Sequence, residues 1–171
     1  MKQEIKDSLA VLIGQPFVRA YRALDLDMFF FGKRHTIITN KGNPRELGEF
    51  ALHVQCAWRV IGSKGIMVAS RDRYYPADDS EASPDDFDWN QSGNRCDKLM
   101  EAFILKNADD DSLVVKSIEI DSVGGVKFQL AKEFEIDIFP DNSFADEHWR
   151  FFRKGSDKDH FVLSGAGIEG Q

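Results

Sequence analysis

Apolar and polar residues alternate along most of this chain with the period of two that a β-strand imposes. The clearest stretch is residues 49–61. As one strand it puts Phe50, Leu52, Val54, Cys56 and Trp58 on one face, and Ala51, His53, Gln55, Ala57 and Arg59 on the other. The first row is core material. The second sets hydrogen-bonding side chains between alanines, where a solvated face would carry Lys, Glu and Thr.

Short β-rich runs precede it at 17–24, 26–31 and 35–39, with turns at 32–33 and at Lys41-Gly-Asn-Pro44. Another follows at 66–70. The last third reads as a meander through 113–120, 126–130, 134–139, 149–153 and 161–164, with Gly124-Gly125 as a tight turn. Two segments change to helical spacing: Ile5, Leu9, Leu12 and Ile13 over 3–13, and Leu99, Met100, Phe103 and Ile104 over 95–105. Residues 76–94 keep neither period and read as a long acidic loop. The expected class is α+β in one domain spanning 1–171. Its sheet is mainly antiparallel, a meander or a partly closed barrel, with about two helices.

Composition narrows the class of object. A length of 171 residues fits one domain with a substantial core, and 14 Phe make that core aromatic. No apolar run approaches the roughly 20 residues that cross a bilayer. The N-terminal stretch has no secretion-signal pattern, so Cys56 and Cys96 are expected as reduced thiols in the cytoplasm. The net charge of −7 is uneven: residues 1–75 carry a net +5 and residues 76–171 a net −12. One compact domain would interleave the two halves. The loop holds Asp78, Asp79, Glu81, Asp85, Asp86 and Asp88 without a Lys or Arg, which makes these six the candidates for meeting a basic-surfaced protein partner.

Each motif that could carry chemistry stands beside a plainer reading. His53, Cys56, Cys96, His148 and His160 could suggest zinc, but His53 and Cys56 point to opposite faces of a strand and no Cys-x-x-Cys pair exists. Asp86-Phe-Asp88-Trp-Asn90 begins like a calcium loop, then has Gln91 where Gly is needed and Asp97 where Glu is needed. No metal is expected. Gly165-Ala-Gly167-Ile-Glu-Gly170 spells a dinucleotide fingerprint without the helix its chemistry requires, and no cofactor is expected. There is no Gly-x-Ser-x-Gly elbow, and no catalytic residue is assigned. Phe17, Arg19 and Tyr21 share a face as in single-strand binders, yet a pI of 5.1 argues against nucleic acid. A composite site remains. His53, Gln55 and Arg59 could converge with His148 and Arg150 of a late strand on an anionic group, or form a buried polar network.

Four segments together carry a resemblance: Ala51-Leu-His-Val-Gln-Cys-Ala-Trp-Arg59, Phe139-Pro-Asp141, His148-Trp-Arg-Phe-Phe152 and His160-Phe-Val162. They resemble a group of small uncharacterised bacterial proteins with an ALHVQC-x-WR strand and an FPD…WRFF ending. That resemblance spans most of the chain and implies no activity, ligand or catalytic residue. In composition the chain is also similar to the acidic α+β proteins that neutralise bacterial toxins. The first functional expectation is therefore a cytoplasmic protein-interaction module of the toxin-immunity type. The alternative is a small-ligand-binding protein or hydrolase that uses the His/Gln/Arg strand face.

Overall fold

The computed structural model describes residues 1–78, 87–108, 111–156 and 160–169. Helix α1 (Lys2–Leu9) leads into a 3-10 turn (Ala10–Leu12), then strands β1 (Phe17–Ala23), β2 (Leu26–Phe31), β3 (His35–Ile38) and β4 (Pro44–Leu47). Next come β5 (Phe50–Val54), β6 (Ala57–Gly62), β7 (Gly65–Ala69), a 3-10 turn (Ser70–Tyr74) and helix α2 (Arg95–Lys106). The chain ends with β8 (Val115–Ile120), β9 (Val126–Leu130), β10 (Glu135–Phe139), β11 (Glu147–Arg153), β12 (Phe161–Ser164) and β13 (Gly167–Ile168).

These strands form two open antiparallel sheets and a separate hairpin, and no barrel closes. One sheet runs β1-β2-β5-β11-β12-β13, the other β7-β6-β10-β9-β8, and β3 pairs with β4. The expected α+β class, with two helices and mainly antiparallel sheets, is what forms. Inner-face residues of both sheets, among them Phe29, Leu52, Trp149, Trp58, Phe128 and Ile136, share one core. Burying this much aromatic and branched surface is the main driving force for joining the layers. Helix α2 lies against β1 and β7, the edge strands of the two sheets, and so closes the gap between them. It begins where Asn94 caps it by accepting from the Asp97 N–H at 3.0 Å. The helix expected over 3–13 is shorter: α1 stops at Leu9, and Ile13 is exposed while Ile5, Leu9 and Leu12 are buried.

Alternation along 49–61 holds, but not in one sheet. Phe50, Leu52, Val54, Cys56 and Trp58 all enter the shared core. Between Val54 and Ala57 the chain turns a corner: the N–H groups of Gln55 and Cys56 both donate to the His148 carbonyl, and the Ala57 N–H donates to Asp141 Oδ1 at 3.2 Å. β5 belongs to the first sheet and β6 to the second. Asp141 and His148, far along the chain, thus hold the crossing between layers.

Outside the six-stranded sheet lies a smaller apolar cluster of Val18, Phe30, Leu47 and Ala51, with Tyr21, Met28 and Phe152 at its margin. Leu47 brings the β3–β4 hairpin onto this face. Among the described residues no helix is long and apolar enough to cross a membrane.

Candidate functional site

The five polar candidates divide into three places. Arg150 sits directly opposite His53, on the neighbouring strand and the outer face of the six-stranded sheet. Glu147 joins them, because an irregularity between Glu147 and Trp149 turns it to the side of Arg150. Arg150 donates through Nε and Nη2 to the two Glu147 oxygens, the first bond at 2.7 Å, and Gln55 adds a hydrogen bond to the same carboxylate. Burial alone would raise the Glu147 carboxyl, yet the bonds and charge of Arg150 outweigh it and hold the group below its ordinary value. His53 is lowered to about 4, first by burial and then by the Arg150 charge. Its ring meets Phe152 edge-on at 4.9 Å, and His160 stacks on the same phenyl at 4.0 Å.

Arg59 and His148 lie elsewhere. Arg59 is on the outer face of the five-stranded sheet and donates twice to Asp137 Oδ2, at 3.0 and 2.7 Å. His148 is buried, at 3% exposure, inside the irregularity between Glu147 and Trp149 that breaks the alternation linking it to Arg150. Its replacement beside Arg150 is Glu147. The composite His/Gln/Arg site thus reduces to His53, Gln55 and Arg150, with Arg59 and His148 apart from it.

Of the acidic candidates, Asp78 is exposed, and Asp88 is engaged in a turn where Oδ1 accepts the Asn90 N–H at 3.1 Å. Asp79, Glu81, Asp85 and Asp86 lie outside the described residues. Cys56 and Cys96 are buried in the core, where desolvation pushes Cys56 up to about 12 and also raises Cys96. Among the described residues no group of three or more His, Cys, Asp or Glu side chains is arranged to hold a metal ion.

A cavity of about 470 Å³ opens between β1 and α2, at the edge where the helix bridges the sheets. Its mouth is polar: Arg19, Tyr21, Arg45, Lys98 and Glu101 line it. Its buried interior is formed by Phe29, Trp58, Cys96, Met100, Ile104 and Asp27. Asp27 belongs to the apolar run of β2, and alternation puts it with Phe29 and Phe31 on the inner face. Its Oδ2 accepts the Trp58 indole N–H at 2.6 Å and the Arg73 Nη2 at 2.5 Å. Arg73 is itself fixed, through Nε to the Ser70 carbonyl and Nη1 to the Asp25 carbonyl. Burial raises the Asp27 carboxyl from 3.8 to about 6, against the opposing pull of Arg73 and Trp58.

The cavity wall is fastened by Arg22, which reaches from β1 to α2 and holds Asp97 with two bonds of 3.0 and 3.2 Å. The same guanidinium donates to the carbonyls of Leu24 and Gln91. Burial would lower its pKa, but Asp97 prevails and raises it. A second hollow of about 560 Å³ lies between Gly32–Arg34 and Asn107–Val114, beside residues outside the description, and its charged lining of Lys33, Arg34 and Asp111 is exposed. The β1–α2 cavity alone of the two joins a buried ionisable group to an apolar interior. The sequence signal for it was Asp27, a lone charge on the core side of β2. No family model matches the chain, and no curated protein or solved structure matches it either.

Proposed function

We propose that this chain is a small-ligand-binding protein whose site is the β1–α2 cavity rather than the His/Gln/Arg strand face. One observation carries the reading: a cavity of about 470 Å³ that ends on the buried Asp27 carboxylate. That size falls within the roughly 300–1,000 Å³ of ordinary ligand sites, and an apolar interior with a few placed polar groups is what such sites share. A buried carboxylate whose pKa is raised by desolvation, beside a specific charge partner and facing a cavity, is a candidate functional group. A small-molecule library screened by ligand-observed NMR tests the reading, with Ala20→Phe as the blocked control because Ala20 lines the cavity from β1. Hits are expected on the parent chain and lost on the variant, which should melt cooperatively. If every hit persists on Ala20→Phe, the cavity is not the site.

The interaction-module reading keeps one observation in its favour. Tyr74 and Tyr75 are exposed at 45% and 55%, next to Asp78, and Tyr74 packs edge-on against Trp89 beside Asp88. Exposed tyrosines flanked by acid suit a basic-surfaced protein partner. Salt-sensitive co-purification that Tyr74→Ala and Tyr75→Ala abolish would support it. Unchanged recovery of the same partner would remove it.

A further inference from the structure

We propose that the cavity takes a small organic carboxylate with an apolar body, its anionic end held by Arg19, Arg45 and Lys98 and its body against Phe29, Met100 and Ile104. The proposal rests on the small-ligand reading above and adds the ligand class. Arg19 Nε is the one buried side-chain nitrogen or oxygen, among the described residues, without a hydrogen-bond partner. A buried charged donor left without an acceptor is costly, and Arg19 lines the cavity, so an anion drawn against this guanidinium would offset that cost. The Nη2 of Arg19 is already committed to Glu46 at 3.2 Å, and Arg34 competes for that carboxylate at 3.5 Å.

Two other cations, Arg45 and Lys98, stand at the mouth. Neither Arg45 nor Lys98 makes an ion pair among the described residues. The Arg45 guanidinium lies over the Tyr21 ring, 4.1 Å from its centroid, which fixes its plane and leaves its edge donors available. Of the acids that line the cavity, Asp97 is consumed by Arg22 and Asp27 by Arg73 and Trp58. Glu101 remains and offsets one of the cations. The balance suits a monoanion and disfavours a dianion. Below this mouth the walls are apolar, which is the order of chemistry that a carboxylate on a hydrocarbon or aromatic body requires.

Such a carboxylate could belong to a free small molecule or to the C-terminus of a polypeptide. A cavity of about 470 Å³ has the size of ordinary small-molecule sites, which favours the free molecule. Isothermal titration distinguishes the sources with phenylacetate and octanoate, their neutral amides, inorganic phosphate, and an acetylated tetrapeptide ending in a free Phe carboxylate. At least one acid should bind about ten-fold or more tightly than its amide, as expected when a charge-assisted hydrogen bond is lost. An Arg45→Gln/Lys98→Gln double variant should weaken that acid by about the same factor and leave the amide unchanged. Neither residue belongs to the buried core, so the fold is kept. Arg19→Gln should do likewise.

Amides that bind as tightly as acids would overturn the carboxylate assignment and leave the small-ligand reading standing. Phosphate binding as well as the acids would reduce the mouth to an unselective cationic patch. Peptide binding without small-acid binding would move the source to a protein terminus. Silence from every acid and every amide would overturn both the class and the reading beneath it.

Discussion

Trp58 and Trp149 tie the same two sheets together with their donors reversed. Trp58 stands in the five-stranded sheet and donates its indole N–H across the core to Asp27 of the other sheet, at 2.6 Å. Trp149 stands in the six-stranded sheet and donates across to the Gly124 carbonyl in the β8–β9 turn, at 3.0 Å. Both rings are almost fully buried. Each therefore fills the core and satisfies one polar group that the core would otherwise strand.

The two bonds should not be worth the same. Trp58→Phe deprives a buried carboxylate of a donor, and bonds to charged groups contribute about 1.5–3 kcal/mol. Trp149→Phe deprives a neutral carbonyl, where about 0.5–1.5 kcal/mol is usual. Urea denaturation should rank Trp58→Phe as the more destabilising, beyond the similar loss of ring volume that both share. Equal midpoints would show that Asp27 does not depend on its indole partner.

Asp27 and Arg73 should behave as a unit. Side-chain exposures of 5% for both make this an ion pair removed from water. Asp27→Leu or Arg73→Met alone strands the other charge and should cost about 3–5 kcal/mol. The double variant should cost clearly less than the sum, since no charge is left buried. Strict additivity in the double-mutant cycle would contradict the pairing.

The sequence showed inside from outside, and could not show which sheet an outside belonged to. Phe50, Leu52, Val54, Cys56 and Trp58 reach the core as their alternation predicts. His53 and Arg59 fall on outer faces of different sheets, because the corner at Gln55 and Cys56 is set by a carbonyl from residue 148, far along the chain. The irregularity at Glu147 had the same effect on a smaller scale, and replaced His148 by Glu147 as the neighbour of Arg150. Asp27 was legible in principle, as a charge at a core position. Arg73, its partner, came from a 3-10 turn with no period that would announce it. The mouth of the cavity joins residues from β1, β4 and α2, and such a meeting is a tertiary fact.

Stability between about pH 4 and 6.5 should reflect two opposed groups. Asp27 rises from 3.8 to about 6 on folding, so the folded chain holds a proton that the unfolded chain releases. Its contribution falls as pH climbs through that window and is level above it. His53 drops from 6.5 to about 4, so the unfolded chain holds the extra proton and stability rises as pH climbs. Asp27→Asn should make the profile rise more steeply with pH than the parent, and His53→Gln should make it fall relative to the parent. Urea midpoints at half-unit steps from pH 4 to 7 check both signs. Parallel profiles for the two variants would refute the assignment.

Two glycines offer a test of where main chain, rather than side chain, sets the fit. A Cβ on Gly48 would meet the Phe31 main chain, with its nitrogen at 2.7 Å and its carbonyl oxygen closer still. Phe31 is fully buried and packs on Phe17 of its own sheet and on Phe128 of the other, so β2 cannot yield without disturbing the core. A Cβ on Gly124 would instead meet the Leu163 side chain, with Cδ1 at 3.1 Å, and would add the strain of a φ of +91°. Each Gly→Ala change should cost about 1–3 kcal/mol. The double variants separate the causes. Leu163→Ala opens space for the new methyl, so Gly124→Ala/Leu163→Ala should cost less than the two singles together. Phe31→Leu leaves the obstructing main chain in place, so Gly48→Ala/Phe31→Leu should be additive. Rescue of Gly48→Ala by trimming Phe31 would mean that the ring, and not the backbone of β2, is what Gly48 makes room for.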